Sequence, residues 1–301
     1  MANNGMDMES GSQARYVYII LRGVDMVANT IVVMDEKGGA AKTTLSLLLA
    51  QALGNAGYKT CAGDLDGQCN LTTAAGVNED EQEGIYSVLK KEIEVADAIV
   101  PVDGYDLLPG SKLMKNWESE ASGLKDRDFR LRNVVQDIND YYDFVLFDTP
   151  PFFGVSTTST LFTNSKVYVL IPTTPDKFGI EGVKDTIEDI EAVQEGFSFF
   201  GIDIVIAGIV ITQVDKGPGF SKKSIKQVKA REAVTTLEKI AKEHNTKVFE
   251  QYLFNNKQYK DMIANQANVF TNSGYSIPQK QITNVMNELI KTIGEHNGEK
   301  A

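Results

Sequence analysis

The chain has 301 residues, of which 42% are hydrophobic and 24% charged, so it can bury a core and is not a disordered protein. Its formal net charge of −11 argues against a general nucleic-acid coat protein, and its two cysteines and two histidines are too few for most Cys/His metal sites. We expect a cytoplasmic protein, because the cysteines have no C-x-x-C spacing and the polar, acidic N-terminus does not resemble a cleavable signal.

Strand-like and helical segments alternate along the chain. Apolar runs predict strands over residues 29–35, 58–63, 105–109, 143–148, 166–172, 204–212 and 247–253, and helical patterns occupy about 42–56, 83–92, 126–140, 156–164, 178–196, 220–245, 257–266 and 277–295. This order predicts an α/β fold with a doubly wound, mostly parallel sheet that has helices on both faces. We expect one domain over residues 29–301, preceded by a partly disordered N-terminal extension, residues 1–28.

A glycine-containing loop with two lysines joins the first predicted strand to the first helix. Residues 35–44 read Asp-Glu-Lys-Gly-Gly-Ala-Ala-Lys-Thr-Thr. This layout predicts a phosphate-binding loop, because backbone N–H groups and the positive end of a helix favour polyphosphate. The predicted nucleotide-binding residues are Lys37, Gly38, Gly39, Ala40, Ala41, Lys42, Thr43 and Thr44. Among them, Lys42 would reach the β- and γ-phosphates, and Thr43 would bind Mg²⁺.

The loop departs from the common pattern G-x-x-x-x-G-K-[ST] at Glu36 and Ala41, and it matches K-G-G-x-x-K-T-T instead. It resembles the deviant Walker A loop of the ParA/MinD ATPase family, whose members have a P-loop NTPase fold. In that family an extra lysine reaches across a dimer interface to the partner's nucleotide, which implies this role for Lys37. Ala41 adds a methyl group where the backbone usually passes close to phosphate. We therefore expect ATP to bind and hydrolysis to be slow.

Two more segments place acidic residues at the ends of predicted strands. Asp64-Leu65-Asp66-Gly67-Gln68-Cys69-Asn70-Leu71-Thr72 is similar to the D-x-D-P-Q-x-N-x-T segment of ParA proteins, with Gly67 and Cys69 as departures. The resemblance implies that Asp66 orients or activates the attacking water and that Asp64 supports Mg²⁺ and the switch loop. Asp148 ends an apolar strand within Y-D-x-x-x-x-D-T-P-P, as a Walker B residue does, and would hold Mg²⁺. The predicted catalytic residues are thus Lys37, Lys42, Asp64 and Asp66, and the predicted metal ligands are Thr43, Asp64 and Asp148.

A third strand end, residues 169–176, carries a weaker signal. In the family this segment lies near the nucleotide and the dimer face, although an ordinary strand–turn–helix connection explains the pattern equally well. The resemblance as a whole covers roughly residues 29–270. It favours a ParA-type partition ATPase that lacks a large N-terminal DNA-reading domain.

The resemblance implies a switch cycle. Two ATP-bound chains would pair face to face as a homodimer, bind DNA without sequence preference on the nucleoid, and separate after hydrolysis stimulated by a ParB-like adaptor. The cofactors would be ATP or ADP and Mg²⁺. A basic window supports the DNA contact, because residues 216–247 contain nine Lys/Arg against three Asp/Glu. The predicted DNA-binding residues, on or just before a helix, are Lys222, Lys223, Lys226, Lys229 and Arg231. A solvated helix face explains the same residues without any ligand.

The C-terminal helix and the rival functions can be weighed from the same residues. An apolar stripe (Ile282, Val285, Met286, Leu289, Ile290 and Ile293) with few basic neighbours favours core packing over the membrane-binding helix of a MinD-like regulator. We therefore expect no stable membrane association.

An iron–sulfur reductase of the same fold would need bridging cysteines, which this chain lacks after residue 69. A binding module with an inactive site, and a positioner of cargo other than DNA, remain compatible with the sequence.

Overall fold

Seven strands form one sheet in the computed structural model, which describes residues 27–80, 82–215 and 225–298. The strands are β1 (Asn29–Val33), β2 (Thr60–Asp64), β3 (Val100–Val102), β4 (Tyr105–Leu108), β5 (Phe144–Asp148), β6 (Lys166–Thr173) and β7 (Asp203–Ile211). Their order across the sheet is β3-β4-β2-β5-β1-β6-β7. All neighbouring strands are parallel except β3 and β4, which form an antiparallel hairpin. The predicted mostly parallel sheet is confirmed.

Helices cover both faces of this sheet. They are α1 (Lys42–Asn55), α2 (Asn70–Ala74), α3 (Ile85–Lys90), α4 (Val95–Ala98), α5 (Met114–Ala121), α6 (Arg130–Ile138), α7 (Val155–Thr158), α8 (Lys177–Gly196), α9 (Val228–Glu243), α10 (Lys257–Ala264) and α11 (Ser276–Asn297). Alternate residues of β1 serve opposite faces: Ile31 and Val33 join the apolar cluster of α1 and α11, whereas Val32 joins that of α8 and α9. A third cluster packs helices α3 to α6 against β2 and β5. The doubly wound α/β fold is therefore confirmed.

One strand of the sheet was not predicted, and one predicted strand is not regular. The hairpin strand β3 was not predicted, because its sequence, Val-Pro-Val, is short and contains a proline. Proline has no backbone N–H to donate within a sheet and is therefore found mainly in edge strands, and β3 is an edge strand. The predicted strand over residues 247–253 is irregular. One isolated bridge pairs its Val248 with Ile209, and a second pairs the following residue, Phe254, with Val214. Six residue steps on this segment match five on its partner, so a regular parallel register cannot continue between the bridges.

Two helix predictions also need correction. The helix predicted over 220–245 begins at Val228, so residues 225–227 are not helical, and residues 220–224 lie outside the described part of the chain. The segment predicted as a helix over 156–164 is an α-helix only as far as Thr158 and continues as a 3₁₀-helix to Phe162. The short helices α2, α4 and α5 were not predicted, since four to eight residues carry too little periodicity.

The C-terminal helix packs on the domain as predicted. Ile282, Val285 and Leu289 are fully buried in the cluster that α11 shares with α1. Among the described residues, no helix combines the length and apolar character that a bilayer crossing requires. Apart from residues 27 and 28, the predicted N-terminal extension lies outside the described residues.

Parallel strands bring the predicted site residues to one edge of the sheet. Asp64 ends β2 and Asp148 ends β5, and the two residues are partners in the strand register. β1 lies between β5 and β6, so the loop that follows Val33 emerges beside both carboxylates and beside the end of β6. Ligands of open α/β sheets bind at this carboxyl edge.

Candidate functional site

The loop between β1 and α1 folds around the Lys42 side chain. Lys42 Nζ donates to the backbone carbonyl oxygens of Asp35 at 2.7 Å and of Lys37 at 3.3 Å. Gly39 and Ala41 both have positive φ angles, 82° and 67°, which turn the chain sharply into α1. Lys42 is buried, and this burial lowers the pKa of its ammonium group. The loop thus closes on its own lysine at the start of the helix.

Two residues after β7 hold the loop from the other side. Thr212 Oγ1 donates to the carbonyl oxygen of Ala40 at 3.0 Å, and the Gln213 side-chain amide donates to the carbonyl oxygen of Gly39. Gln213 itself has a positive φ of 55°, an uncommon conformation for a residue other than glycine. The end of β7 therefore contributes to the conformation of the loop, which the sequence did not predict.

Thr43 and Ser46, on the first turns of α1, contact the carboxylate at the end of β5. Thr43 Oγ1 donates to Asp148 Oδ2 at 2.7 Å, and Ser46 Oγ donates to Asp148 Oδ1 at 2.9 Å. Asp148 is fully buried, and burial together with the neighbouring Asp64 carboxylate raises its pKa to about 7. A cation at this position would relieve the repulsion between the two carboxylates.

Asp64 is engaged by the segment that follows it. Its Oδ2 accepts hydrogen bonds from the Thr72 backbone N–H at 2.9 Å and from Thr72 Oγ1 at 2.8 Å, and its Oδ1 accepts from the Asp66 N–H at 3.2 Å. Thr72 Oγ1 in turn accepts from the Gly110 N–H at 2.7 Å. Burial raises the pKa of Asp64 to about 6. Asp64 therefore fixes the shape of the loop after β2, in which the half-buried Asp66 accepts from the Gln68 N–H at 2.9 Å.

Lys37 points toward the segment between β6 and α8. Its Nζ donates to Thr174 Oγ1 at 2.6 Å and to Asp176 Oδ1 at 3.0 Å. Helix α8 approaches closely here, because a Cβ atom on Gly182 would lie 3.0 Å from Asp35 Oδ1 and 3.3 Å from the Lys37 Cβ. The weak sequence signal at residues 169–176 thus falls on residues that contact the extra lysine.

Glu36, which stands where the common pattern has its first glycine, contacts the acidic side of α8. Its backbone N–H donates to Thr186 Oγ1 at 3.4 Å. Burial and the nearby Asp189 and Asp185 raise the pKa of the Glu36 carboxyl group to about 7. The sequence revealed the substitution at Glu36 but not this contact, which depends on the packing of α8 against the loop.

A cavity of about 690 Å³ adjoins the loop at Ala41 and Thr44. Its other walls come from the end of β7 (Thr212 and Gln213), from residues 253–257 and from Tyr259, Lys260 and Ile263 of α10. This volume suits a nucleoside beside a phosphate site. The helix over 257–266 was predicted, and Asn256 caps it by accepting from the Gln258 N–H at 2.8 Å, but no sequence pattern placed this helix beside the loop.

The oxygen ligands at the end of β5 fit Mg²⁺. Mg²⁺ prefers hydroxyl and carboxylate oxygens and usually takes the remaining positions from water and substrate phosphates. Thr43 and Asp148 provide one hydroxyl and one carboxylate that already lie 2.7 Å apart. Within residues 27–80, 82–215 and 225–298, no group of three or more His, Cys, Asp or Glu side chains could hold a metal ion on its own. The site therefore suits a metal that arrives with a nucleotide.

Comparison with known proteins agrees with this geometry. A family model described as "AAA domain" matches residues 28–199. The sporulation initiation inhibitor protein Soj of Bacillus subtilis is 27% identical over 202 residues, which cover 66% of this chain and 78% of Soj. The chromosome partitioning protein ParA of Caulobacter vibrioides is 30% identical over 205 residues, which cover 66% of this chain and 75% of that protein. The chain belongs to the ParA/MinD family of P-loop ATPases.

The fold of this ParA/MinD-family protein is also found in solved structures. Cyanothece McdA in complex with ATP superposes with a TM-score of 0.71 at 19% identity, over 91% of this chain and 98% of that one. The relatives of this chain include partition ATPases, and nucleotide binding and hydrolysis are the general chemistry of the family.

The predicted DNA-binding residues of this family member divide into two groups. Lys222 and Lys223 lie outside the described residues. Lys229 and Arg231 lie on α9, whereas Lys226 precedes the helix, so Lys226 and Lys229 do not share a helical face. Lys226 and Lys229 are exposed and Arg231 is half-buried, so this end of α9 presents positive charge to solvent.

Proposed function

We propose that this protein is an ATP-dependent partition switch. Its ATP-bound form is a homodimer that binds DNA without sequence preference, and hydrolysis stimulated by a ParB-like adaptor releases it. Residues 29–301 act as one ATPase domain in this proposal, and the protein works in the cytoplasm on the nucleoid. One observation carries the proposal: Lys42, the Thr43–Asp148 pair and the turn that holds Asp66 meet at one sheet edge, beside a cavity of nucleoside size.

The triphosphate would occupy the loop. Lys42 would leave the carbonyl oxygens of Asp35 and Lys37 and bind the β- and γ-phosphates, which replace those acceptors with stronger charged ones. The N–H groups at the start of α1 would bind the same phosphates. Thr43 and Asp148 would hold Mg²⁺, which when bound neutralises charge that develops on the phosphate oxygens.

Asp66 would orient the attacking water. Its carboxylate is half-buried and held by the Gln68 N–H, so it has a defined position rather than a free one. Asp64 would act through this loop, since Thr72 and Asp66 occupy both of its oxygens. Toward the metal it would act by its charge, because it lies beside Asp148 in the strand register. Positioning of water in line with the γ-phosphate supplies the rate gain of such sites.

Lys37 would complete the site of the partner chain. Its side chain lies at the rim of the loop with 23% of its surface exposed, so it can leave Thr174 and Asp176 at low cost when a second chain arrives. The dimer would then bring two basic α9 ends together, and paired positive surfaces release more counterions from DNA than one does.

The test is sedimentation of the purified chain with ATP and Mg²⁺, with ADP and Mg²⁺, and with neither, followed by DNA binding of each form. We expect dimers and DNA binding with ATP only. Lys37→Ala should bind ATP in calorimetry without forming dimers, whereas Lys42→Ala should lose ATP binding. Monomers in all three nucleotide states would contradict the proposal, and so would equal DNA binding with ATP and ADP.

A further inference from the structure

Helix α5 contacts two loops, each of which follows a strand that ends in an aspartate of the candidate site. One is the turn that holds Asp66, after β2, and the other is the segment Phe152–Ser156, after the end of β5. The start of α5 is tied to the first loop, because the Gly110 N–H donates to Thr72 Oγ1, and Thr72 binds Asp64. The Met114 N–H then donates to the Ser111 carbonyl as the helix begins.

Lys115 of α5 is in close contact with the turn at Gly67. A Cβ atom at Gly67 would lie 2.7 Å from the Lys115 Cγ and 2.9 Å from its backbone nitrogen. Contacts this close to backbone leave no room for a side chain at Gly67. A displacement of the Asp66 turn toward α5 must therefore move the helix.

One helical turn later, Glu118 of α5 holds the second loop. Its Oε2 accepts from the Val155 N–H at 2.6 Å, and its Oε1 accepts from the Ser156 N–H at 2.9 Å and from Ser156 Oγ. The carboxylate thus binds the two backbone donors at the start of α7. The first N–H groups of a helix have no acceptor within the helix, and a charged carboxylate that accepts from them makes strong hydrogen bonds.

We propose that α5 couples the two loops, with Glu118 as the positioning residue that transmits the nucleotide state of the Asp66 turn to the segment after Asp148. The inference rests on the proposed function, because it assumes that ATP and ADP leave the Asp66 turn in different positions. Glu118 touches no reacting atom. It acts through the backbone of Val155 and Ser156, whose chain leads back to the proposed metal ligand Asp148.

The chemistry of Glu118 makes the coupling separable from folding. Glutamine at this position keeps the volume but has one acceptor oxygen, and its amide N–H groups would face a backbone N–H donor. Glu118→Gln should therefore loosen the attachment to α7 and leave the packing of α5 in place. Glu120 provides a matched control on the same helix, because it binds Tyr86 Oη at 2.7 Å and Lys90 Nζ at 2.9 Å, neither of which lies in the two loops.

The chain offers a built-in reporter for the movement of α5. Its one tryptophan, Trp117, precedes Glu118 and is buried, with the Tyr86 ring edge-on at 6.4 Å and the Arg130 guanidinium 6.0 Å from the ring centre. Tryptophan emission should follow changes in these neighbours. Emission spectra of the full chain would be recorded without nucleotide, with ADP and Mg²⁺, and with adenylyl imidodiphosphate and Mg²⁺.

We expect the unaltered protein to give different Trp117 emission with the two nucleotides. Glu118→Gln should bind adenylyl imidodiphosphate within about threefold of the normal affinity, lose more than half of this difference, and lower kcat about tenfold with KM nearly unchanged. Ser156→Ala, which removes one donor and spares the Glu118 carboxylate, should change the same quantities in the same direction by less. Glu120→Gln changes the absolute emission through Tyr86, which contacts Trp117, but it should keep the affinity, the emission difference between the two nucleotides and the kcat of the unaltered protein.

Two results would overturn the coupling alone: identical Trp117 emission with both nucleotides in a protein that binds them, or a Glu118→Gln variant that behaves like Glu120→Gln. Should Glu118→Gln fail to fold, as judged by circular dichroism, the Ser156→Ala result decides in the same way. Absence of ATP binding by the unaltered protein in calorimetry would instead refute the proposed function, and the coupling with it.

Discussion

Lys37 and Asp176 form an ion pair within one chain, with Nζ 3.0 Å from Oδ1. Thr174 Oγ1 accepts a second hydrogen bond from the same ammonium group at 2.6 Å. The lysine that the family resemblance assigns to the partner's nucleotide is therefore occupied in its own chain. Because the pair is partly exposed, its release costs only about 1 kcal/mol or less.

The first prediction concerns this pair. Asp176→Asn should weaken the interaction with Lys37, because it removes the negative charge. The cap of α8 should remain: the Gly179 N–H donates to Asp176 Oδ1 at 2.8 Å, and an amide oxygen can accept the same hydrogen bond. Two such pairs open per dimer, so we expect the concentration for half-dimerisation with ATP to fall about fivefold. Sedimentation at several protein concentrations measures this. Glu181→Gln, which breaks the exposed Lys177–Glu181 pair on the same helix, is the control and should leave dimerisation unchanged.

The second prediction concerns Ala41, whose φ of 67° and ψ of 32° place it in the left-handed region. This conformation costs alanine about 1 kcal/mol relative to glycine. Ala41→Gly should raise the free energy of unfolding by about 0.5–1 kcal/mol and raise the ATP turnover, because the loop loses a methyl group near the phosphate position. Urea unfolding and a steady-state ATPase assay test the two effects.

The control for Ala41→Gly is Lys91→Gly. Lys91 ends α3 with a φ of 63°, in the same left-handed region but outside the candidate site. Lys91→Gly should leave the turnover unchanged. Its gain in backbone stability is offset by loss of the exposed Lys91–Asp126 ion pair, which is worth about 1 kcal/mol or less. An Ala41→Gly variant whose turnover stays at the normal rate would show that the methyl group does not limit hydrolysis.

The third prediction concerns the pH dependence of stability through Asp35. Burial raises the pKa of the Asp35 carboxyl group from 3.8 to about 6. Between pH 3.8 and about pH 6 this group is therefore mostly protonated in the folded state and mostly ionised in the unfolded state. The ionised carboxylate destabilises the folded state because it is buried. The stability that the protonated carboxyl group contributes is therefore present at low pH and lost as the pH rises through about 6. Relative to Asp35→Asn, the normal protein should lose about 2 kcal/mol of unfolding free energy between pH 4 and pH 8.

Urea unfolding of both proteins across this pH range provides the measurement. Asp203→Asn, which changes a carboxylate exposed at the start of β7, should follow the normal protein at every pH. Parallel stability curves for Asp35→Asn and the normal protein would mean that the Asp35 carboxyl group does not titrate in this range.

The fourth prediction concerns DNA binding by the basic end of α9. Joint replacement of Lys226, Lys229 and Arg231 by Glu should remove most ATP-dependent DNA binding and make the log–log salt slope shallower by about 0.9 for each DNA phosphate that the protein no longer neutralises. ATP affinity should not change, because these residues do not line the nucleotide cavity. Lys239→Glu with Lys242→Glu, exposed farther along the helix, is the matched control. If both variants bound DNA equally poorly, general charge rather than a defined surface would be responsible.

Local patterns in the chain predicted the parts of the site that lie next to each other in sequence. The loop at residues 35–44 and the strand ends at Asp64 and Asp148 were readable because apolar runs place them at one edge of a parallel sheet. The contacts between segments that are distant in sequence could not be predicted in this way. Lys37 with Asp176, and Glu118 with Val155, join residues that no periodicity relates.

Two failed predictions have the same cause. Residues 247–253 have the composition of a strand, yet the register with β7 and the residues after it breaks between the bridges at Val248 and Phe254. Residues 225–227 were included in a helix whose polar pattern they continue, but α9 begins at Val228. In both places the packing of neighbouring segments decides the backbone path, and local propensity gives only a weak preference.

The amino-acid order alone determined the fold class, the phosphate loop and the acidic residues that meet it, because strand and loop identities depend on neighbours along the chain. Only tertiary packing decided where the Lys37 ammonium group lies, which segments line the cavity beside Ala41 and Thr44, and which carboxylate holds the loop after Asp148. Those outcomes depend on distances between side chains that are far apart in sequence, and such distances are fixed only when the sheet and its helices have assembled.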